Sequence, residues 1–99
     1  MGLFDRFMKR NAFPFRDKPN TASFTCVHVL DRKRPILHVT HDEDGYWQFL
    51  CGAPHPEDEA RIIALEEAYE LDPSVGQLAG MDRGHSADRT DVSSDWIIN

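Results

Sequence analysis

The chain has 99 residues, of which 40% are hydrophobic and 28% are charged, and its formal net charge at pH 7 is −6. A chain of this length forms one small domain with a single core, and its apolar fraction is too high for an intrinsically disordered protein. No stretch approaches the roughly 20 apolar residues of a membrane-spanning helix, and no apolar run is flanked like a secretory signal peptide. We therefore expect a cytoplasmic protein with no stable membrane insertion.

The charge is divided unevenly along the chain. Residues 1–40 carry eight Lys/Arg against three Asp/Glu, a net charge of +5, whereas residues 41–99 carry three against fourteen, a net charge of −11. The acidic half repels nucleic acid phosphates and can steer a basic protein toward itself. The alternative is that the acidic side chains only hydrate helix and loop surfaces. The charge thus predicts a basic protein partner and no nucleic acid.

Residues 1–22 are predicted to form an amphipathic helix followed by an extended arm. Within residues 1–10, charged side chains occupy one helical face, and apolar side chains the other: Leu3, Phe4, Phe7 and Met8. Phe13 and Phe15 flank Pro14 in the arm, a pattern typical of an extended segment packed over a hydrophobic edge. The remaining residues, 23–99, are predicted to form a single α+β domain.

Three segments in the first half are typical of β-strands, because they are rich in β-branched and aromatic residues. They cover residues 24–30, 35–40 and 46–51. A polar turn separates the first two, and the second and third are separated by a turn containing Asp44-Gly45, a pair favoured in hairpins. We therefore expect three consecutive antiparallel strands, with Gly45 at positive φ.

The second half is predicted to contain short helices and further strands. Residues 57–72 have two interpretations that periodicity does not separate: one helix, or a strand at 61–65 followed by a helix at 66–71. Asp72 before Pro73 indicates the N-cap and first residue of a second short helix that continues through residues 74–78. Short strands are expected at 84–90 and 95–98.

Together these elements predict an α+β fold. We expect an antiparallel β-sheet of four to six strands with two short helices packed on one face, plus the N-terminal amphipathic helix. The apolar end of the chain is expected to join the sheet as its last strand. The predicted core consists of Phe24, Val27, Val29, Ile36, Leu37, Val39, Trp47, Phe49, Leu50, Ile63, Leu65, Leu71, Leu78 and Trp96.

Cysteine and histidine residues are the clearest candidates for chemistry. Cys26 and His28 share a face of the first predicted strand; a simple hairpin register adds His41 to that face, and a bulge at Gly45 would add Cys51. These four residues are the candidate ligands of a zinc site, although the chain lacks the Cys-x₂₋₄-Cys pairs of structural zinc modules. The alternative is structural, with buried thiols and half-exposed imidazoles. We therefore expect free thiols and no cofactor.

No catalytic residue is predicted. The chain contains no nucleophile elbow, no phosphate-binding glycine loop and no His-Glu-x-x-His motif. A thiol–imidazole pair of Cys51 with His41 or His55 is the enzymatic alternative, and a non-enzymatic binding domain is the preferred interpretation.

Acidic residues of the second half form three clusters, and these are the predicted partner-binding residues. Two clusters lie in loops or at the ends of elements, where binding residues concentrate, and the third lies on the predicted short helix. Like charges spaced i, i+3 and i, i+4 on a helix repel each other by about 0.2–0.5 kcal/mol per pair, which a basic partner would relieve. The clusters are Asp42, Glu43 and Asp44; Glu57, Asp58 and Glu59; and Glu66, Glu67 and Glu70.

Short motifs from Asp44 onward occur in an order that resembles a known family. They are Asp44-Gly45-Tyr46-Trp47-Gln48-Phe49, Ile62-Ile63-Ala64-Leu65-Glu66-Glu67, Leu71-Asp72-Pro73-Ser74-Val75, Gly84, Ala87-Asp88-Arg89 and Trp96. This order is similar to that of small bacterial domains of unknown function related to immunity proteins of polymorphic toxin systems, across about residues 44–96. The resemblance implies a strand followed by a helix in residues 57–72, and no catalytic residues.

The function predicted from the chain and from this resemblance is protein binding without catalysis. The resemblance implies an immunity protein that masks a basic toxin surface. The alternative is a small metal-binding or enzymatic domain that uses the Cys/His cluster.

Overall fold

The computed structural model describes residues 13–54 and 56–99, so the predicted N-terminal helix lies outside the described residues. The fold is a mixed arrangement of helices and strands, with one six-stranded sheet in the order β4-β1-β3-β2-β5-β6. The elements in chain order are β1 (Ala22–Cys26), α1 (Val27–Leu30), β2 (His38–His41), β3 (Trp47–Leu50), a first 3₁₀ helix (Glu57–Glu59), β4 (Ala60–Ala64), α2 (Leu65–Leu71), a second 3₁₀ helix (Pro73–Leu78), β5 (His85–Asp88) and β6 (Ile97–Ile98).

The sheet is mixed, which corrects the prediction of an antiparallel sheet. β1 runs parallel to β3, with Phe24 opposite Gln48 and Thr25 opposite Phe49, while the other neighbouring strands are antiparallel. Because β3 lies between β1 and β2, the predicted hairpin of the first two strands is wrong, and so is the register drawn from it. A tight turn joins only neighbouring antiparallel strands, so the connection from β1 to β2 has to cross the end of β3.

Residues 27–30, which were predicted to continue the first strand, form α1 instead. Asp31 N–H donates to Val27 O, and Arg34 N–H donates to His28 O, so the backbone coils on itself directly after β1. Valine favours a strand locally. However, the connection from β1 to β2 leaves the sheet at this segment, and the helical turn of α1 buries Val29 in the core. Tertiary packing therefore overrides local propensity here.

The hairpin between β2 and β3 follows the prediction. Gly45 N–H donates to Asp42 O at 2.9 Å, Asp42 N–H donates to Tyr46 O at 2.8 Å, and His41 lies opposite Trp47. Gly45 has φ +99°, which confirms the positive φ expected at the end of this turn. The turn therefore depends on a backbone conformation that glycine adopts with little strain.

Gly45→Ala should lower the free energy of unfolding by about 1 kcal/mol or more. A Cβ at this position would lie 2.9 Å from Arg83 Nη2, at the end of a flexible side chain that can move aside. Most of the strain therefore comes from the positive φ of residue 45. Gly80→Ala is the matched control, because a Cβ there meets nothing within 4 Å. Urea unfolding measures both variants, and an equal midpoint for Gly45→Ala and wild type would contradict the turn assignment.

Residues 57–72 form a strand followed by a helix, so the single-helix interpretation is wrong. β4 pairs with β1 along its whole length, with Ile63 opposite Ser23, and α2 begins immediately after it.

Asp72 caps the second 3₁₀ helix as predicted, since its Oδ1 accepts a hydrogen bond from Ser74 N–H at 3.0 Å, and Pro73 is the first helical residue. β5 and β6 lie within the two segments predicted as late strands.

The core lies on one face of the sheet. The arm contributes to it: Phe15 is buried, with its ring centroid 5.0 Å from that of Trp47 and 6.3 Å from that of Phe49. Predicted core residues that are buried are Val29, Ile36, Val39, Trp47, Phe49, Ile63, Leu65 and Leu78. Those only partly buried are Phe24, Val27, Leu37, Leu50, Leu71 and Trp96. Buried hydrophobic residues of the described part of the chain that the prediction omitted are Phe15, Cys26, Cys51, Ala68, Val75, Met81 and Ala87.

The opposite face of the sheet is at least partly exposed. Registered pairs place one row of side chains across it, formed by Ile62, Phe24, Gln48, Thr40 and Ser86. Each of these residues retains solvent exposure. Within the described part of the chain, every helix falls short of the length and apolarity that crossing a bilayer requires.

Candidate functional site

Cys26, His28 and Cys51 come together at one end of the sheet. β1 and β3 are parallel neighbours, so their carboxyl ends lie at the same edge. Cys26 ends β1, and Cys51 directly follows β3, while His28 lies in the short helix that begins after Cys26. The ligand atoms of the three residues all lie within 4.8 Å of one another. The parallel pairing of the two strands, which was not predicted, is therefore what assembles this cluster.

Glu59 adds a carboxylate beside the three residues. Ala60 is the registered partner of Cys26, so the residue before Ala60 arrives at the same end of the sheet. His28 Nε2 lies 3.8 Å from Glu59 Oε1, and His28 Nδ1 lies 3.9 Å from Cys51 Sγ. The sequence offered no signal for Glu59 in this place, because the position depends on the register between β1 and β4.

His41, the fourth predicted ligand, lies elsewhere. Its ring stacks on Trp47 with the centroids 3.9 Å apart, and its Nδ1 is 2.8 Å from Met81 O. The separation has a simple cause: β3 lies between β1 and β2, so His41 cannot share a hairpin with Cys26. The imidazole beside Cys51 is that of His28 rather than that of His41, and His55 lies outside the described residues.

A second polar group, unpredicted, lies on the exposed face of the sheet. Thr40 Oγ1 is 3.0 Å from His38 Nε2, and His38 Nδ1 is 2.5 Å from Asp88 Oδ1. A hydroxyl, an imidazole and a carboxylate in this order resemble a catalytic triad, in which the imidazole takes the proton of the hydroxyl. The adjoining cavity is lined by the carboxylates of the β2–β3 hairpin, which repel a developing oxyanion rather than stabilise it. The geometry therefore gives no support to catalysis here.

The carboxyl of Asp88 should show a pH response. The hydrogen bond from His38, aided by Asn99, holds the pKa of Asp88 below 3.8. Because folding favours the ionised form, this contribution to stability is present above the unfolded-chain pKa and is lost as the pH falls through the folded-state pKa. His38→Ala should return the pKa of Asp88 toward 3.8. NMR titration of the Asp88 carboxyl carbon measures this pKa. A pKa in the variant equal to that of the wild type would contradict the role given to the His38 hydrogen bond.

Arg89 is a buried structural clamp. Its guanidinium donates twice to Ile36 O, at 3.1 and 2.9 Å, once to Ser74 Oγ at 2.9 Å and once to Asp72 Oδ2 at 2.5 Å. Its Cζ lies 4.2 Å from the ring centroid of Trp96. These contacts join the end of β5 to the second 3₁₀ helix. The guanidinium is therefore engaged by the chain's own groups rather than presented to a ligand.

Two of the three predicted acidic clusters lie at opposite ends of β4. Asp58 and Glu59 belong to the first 3₁₀ helix, directly before the strand, and Glu66 and Glu67 begin α2, directly after it. Glu70 follows one turn further along α2. The third cluster, residues 42–44, lies at the β2–β3 turn. Edge strand β4 is thus bracketed by negative charge.

Comparisons of the chain with protein-family models, curated proteins and solved structures give no match. The family resemblance of residues 44–96 therefore stays a prediction. Several of its motif residues have structural roles here: Gly45 completes a turn, Asp72 caps a helix, and Arg89 forms the clamp.

Proposed function

We propose that this chain is a non-enzymatic protein-binding domain, and that it binds a basic protein through the edge strand β4. The observation that carries the proposal is the position of Ile62. Its side chain is 69% exposed at the middle of an edge strand that has acidic clusters at both ends. The role fits an immunity protein that masks a basic toxin surface.

The backbone of β4 presents hydrogen-bonding groups outward. Leu65 N–H donates to Thr21 O at 2.8 Å. Thr21 and Leu65 therefore form a hydrogen-bonded pair, next to the registered pair of Ala22 and Ala64. In an antiparallel ladder, bonded and non-bonded pairs alternate. The N–H and C=O groups of Ala60, Ile62 and Ala64 therefore point away from β1.

The chain's own side chains occupy both ends of this outward row. Glu67 Oε1 accepts a hydrogen bond from Ala64 N–H at 2.9 Å, and Arg61 Nη1 donates to Ala60 O at 2.7 Å. Among the residues that the structure describes, none contributes a side chain to the N–H or C=O of Ile62. An open position on an edge strand is a place where a partner strand can add to the sheet.

The exposed face beside β4 supplies an apolar centre. Ile62 lies opposite Phe24, and the Phe24 ring packs edge-on against Tyr46 at 5.7 Å between centroids. Tyr46 is itself exposed. Apolar and aromatic residues surrounded by charge are the usual composition of a protein interface.

Charge supports a basic protein, rather than a second copy of this chain, as the occupant. Residues 57–70 carry six acidic side chains and one arginine, a net charge of −5. Antiparallel pairing of two copies at β4 would place the acidic cluster at the start of one strand against that at the end of the other. Like charges placed opposite each other destabilise such a pair, whereas a basic partner gains complementary potential.

The double variant Glu66→Lys/Glu70→Lys should slow association with a basic partner by about tenfold or more at low salt. The loss should shrink at high salt, where screening shortens the reach of the charges. Where a neighbouring gene encodes a basic protein, that protein is the partner to use, and stopped-flow mixing measures the rate. Glu67 is left unchanged because it caps the Ala64 N–H.

The matched control is Asp82→Lys/Asp95→Lys, which changes the net charge equally at exposed positions outside β4 and α2. It should slow association much less. Equal effects of the two double variants would show that only total charge matters, and would contradict binding at β4. Self-association of the free chain at the same concentration, measured by sedimentation, would favour a second copy as the occupant.

A further inference from the structure

We infer that Cys26, His28 and Cys51 form a binding site for a thiophilic divalent metal ion, and that zinc is the ion this set fits best. The inference does not depend on the proposed protein-binding function. It departs from the sequence-based prediction of no cofactor, because the assembly of the three residues follows from the parallel pairing of β1 with β3.

The distances come near those of a tetrahedral site. Zn–S bonds of about 2.3 Å and Zn–N bonds of about 2.05 Å imply a ligand separation of about 3.6 Å between sulfur and nitrogen. The observed separation of Cys51 Sγ and His28 Nδ1 is 3.9 Å. All three ligand atoms lie within 4.8 Å of one another. Small side-chain adjustments therefore bring them around one ion.

Glu59 stands where a metal-bound histidine usually has a carboxylate. With Nδ1 turned toward the sulfur, the other ring nitrogen, His28 Nε2, lies 3.8 Å from Glu59 Oε1. Metal-ligating histidines commonly donate their second N–H to a carboxylate, which fixes the tautomer and the ring orientation. At 3.8 Å Glu59 is a near neighbour of His28 rather than its hydrogen-bond acceptor, and a small approach would make it a positioning residue that acts through His28.

Burial of the four residues suits a site with a protected ion and an entry path. Cys26 and Cys51 are 0% and 4% exposed, and both are free thiols. His28 and Glu59 are partly exposed, so an ion can enter from their side. Three protein ligands leave one tetrahedral position open, as in zinc sites that keep a water or another exchangeable ligand.

The thiolate and imidazole ligands also determine which ions compete. Soft sulfur ligands favour zinc and related thiophilic ions over magnesium or calcium, which prefer oxygen. Binding requires deprotonated thiols, so occupancy should rise with pH and release protons. Magnesium at the same concentration is therefore a negative control that uses the same protein and buffer.

Cobalt titration of the reduced, chelator-treated full chain tests the site. Co²⁺ should bind one to one and give the intense d–d absorption of tetrahedral coordination together with a thiolate charge-transfer band. Zn²⁺ should displace Co²⁺ and bleach both bands. Zn²⁺ should also protect both thiols of the wild-type chain from alkylation, a readout that needs no variant.

Variants then assign the ligands. Glu59→Gln should weaken zinc binding by roughly 10- to 100-fold, and His28→Gln and Cys51→Ser should each weaken it by more than that. His85→Gln is the matched control, since this exposed histidine lies on β5, away from the cluster, and it should bind zinc as wild type does. Circular dichroism in the absence of metal checks that each variant is folded.

Three results would each overturn the inference. The first is a cobalt spectrum without tetrahedral or thiolate bands. The second is alkylation of either cysteine at the same rate with and without zinc. The third is wild-type zinc affinity in His28→Gln, which stands even if the Cys51→Ser variant, at a buried position, does not fold.

Discussion

Replacing Arg89 by methionine should lower the free energy of unfolding by about 3–5 kcal/mol, the usual effect of breaking a buried ion pair from one side. The residue is 7% exposed, and its guanidinium holds Asp72 and the carbonyl of Ile36. Methionine keeps most of the volume but leaves both acceptors without their donor. Because a domain is typically stable by only about 5–15 kcal/mol, this one change should remove a large part of the stability.

Urea unfolding at neutral pH measures this loss. Arg83→Met, at an exposed position, is the control and should have little effect. Arg89→Lys should not restore the wild-type value, because one ammonium cannot replace a planar group that reaches a carbonyl, a hydroxyl and a carboxylate together. A loss below about 1 kcal/mol for Arg89→Met would match an exposed pair and contradict the clamp.

Phe15→Ala should cost about 3–5 kcal/mol, as truncation of a buried aromatic residue typically does. The ring of Phe15 meets the rings of Trp47, Phe49 and Tyr69 edge-on. The arm is therefore part of the core rather than an addition to it. Thermal or urea unfolding measures the effect, and Lys18→Ala, on the same arm but exposed, is the control. Equal stability of the two variants would show that the arm does not belong to the core.

Local signals were enough to predict several elements. Asp44-Gly45 determined a turn because few residues adopt the positive φ it needs, and Asp72-Pro73 determined a helix start because both residues act within one turn. The strand at 46–51 was close to the observed β3, Trp47–Leu50. Such features depend on neighbours in the sequence, and the sequence therefore reveals them.

Long-range pairing was not predictable in the same way. Nothing local to Phe24 distinguishes pairing with β2 from parallel pairing with β3, and the wrong choice moved His41 into the candidate metal set. The contact of Glu59 with His28 also depends on strand register. The predicted core included Ile63 and Leu65 and left out Ile62, but only the strand order shows that Ile62 lies on an edge strand.

Hydrogen exchange at Ile62 tests the central claim, binding of a basic protein at β4, most directly. Amide exchange should be compared in the free chain and in its complex with a basic protein that it binds. If a partner strand adds at β4, the Ile62 amide should exchange much more slowly in the complex, whereas the amides of β6, at the opposite edge, should be unchanged. Unchanged exchange at Ile62 in a saturated complex, with protection confined to β6 or to the loop at residues 31–34, would contradict the account.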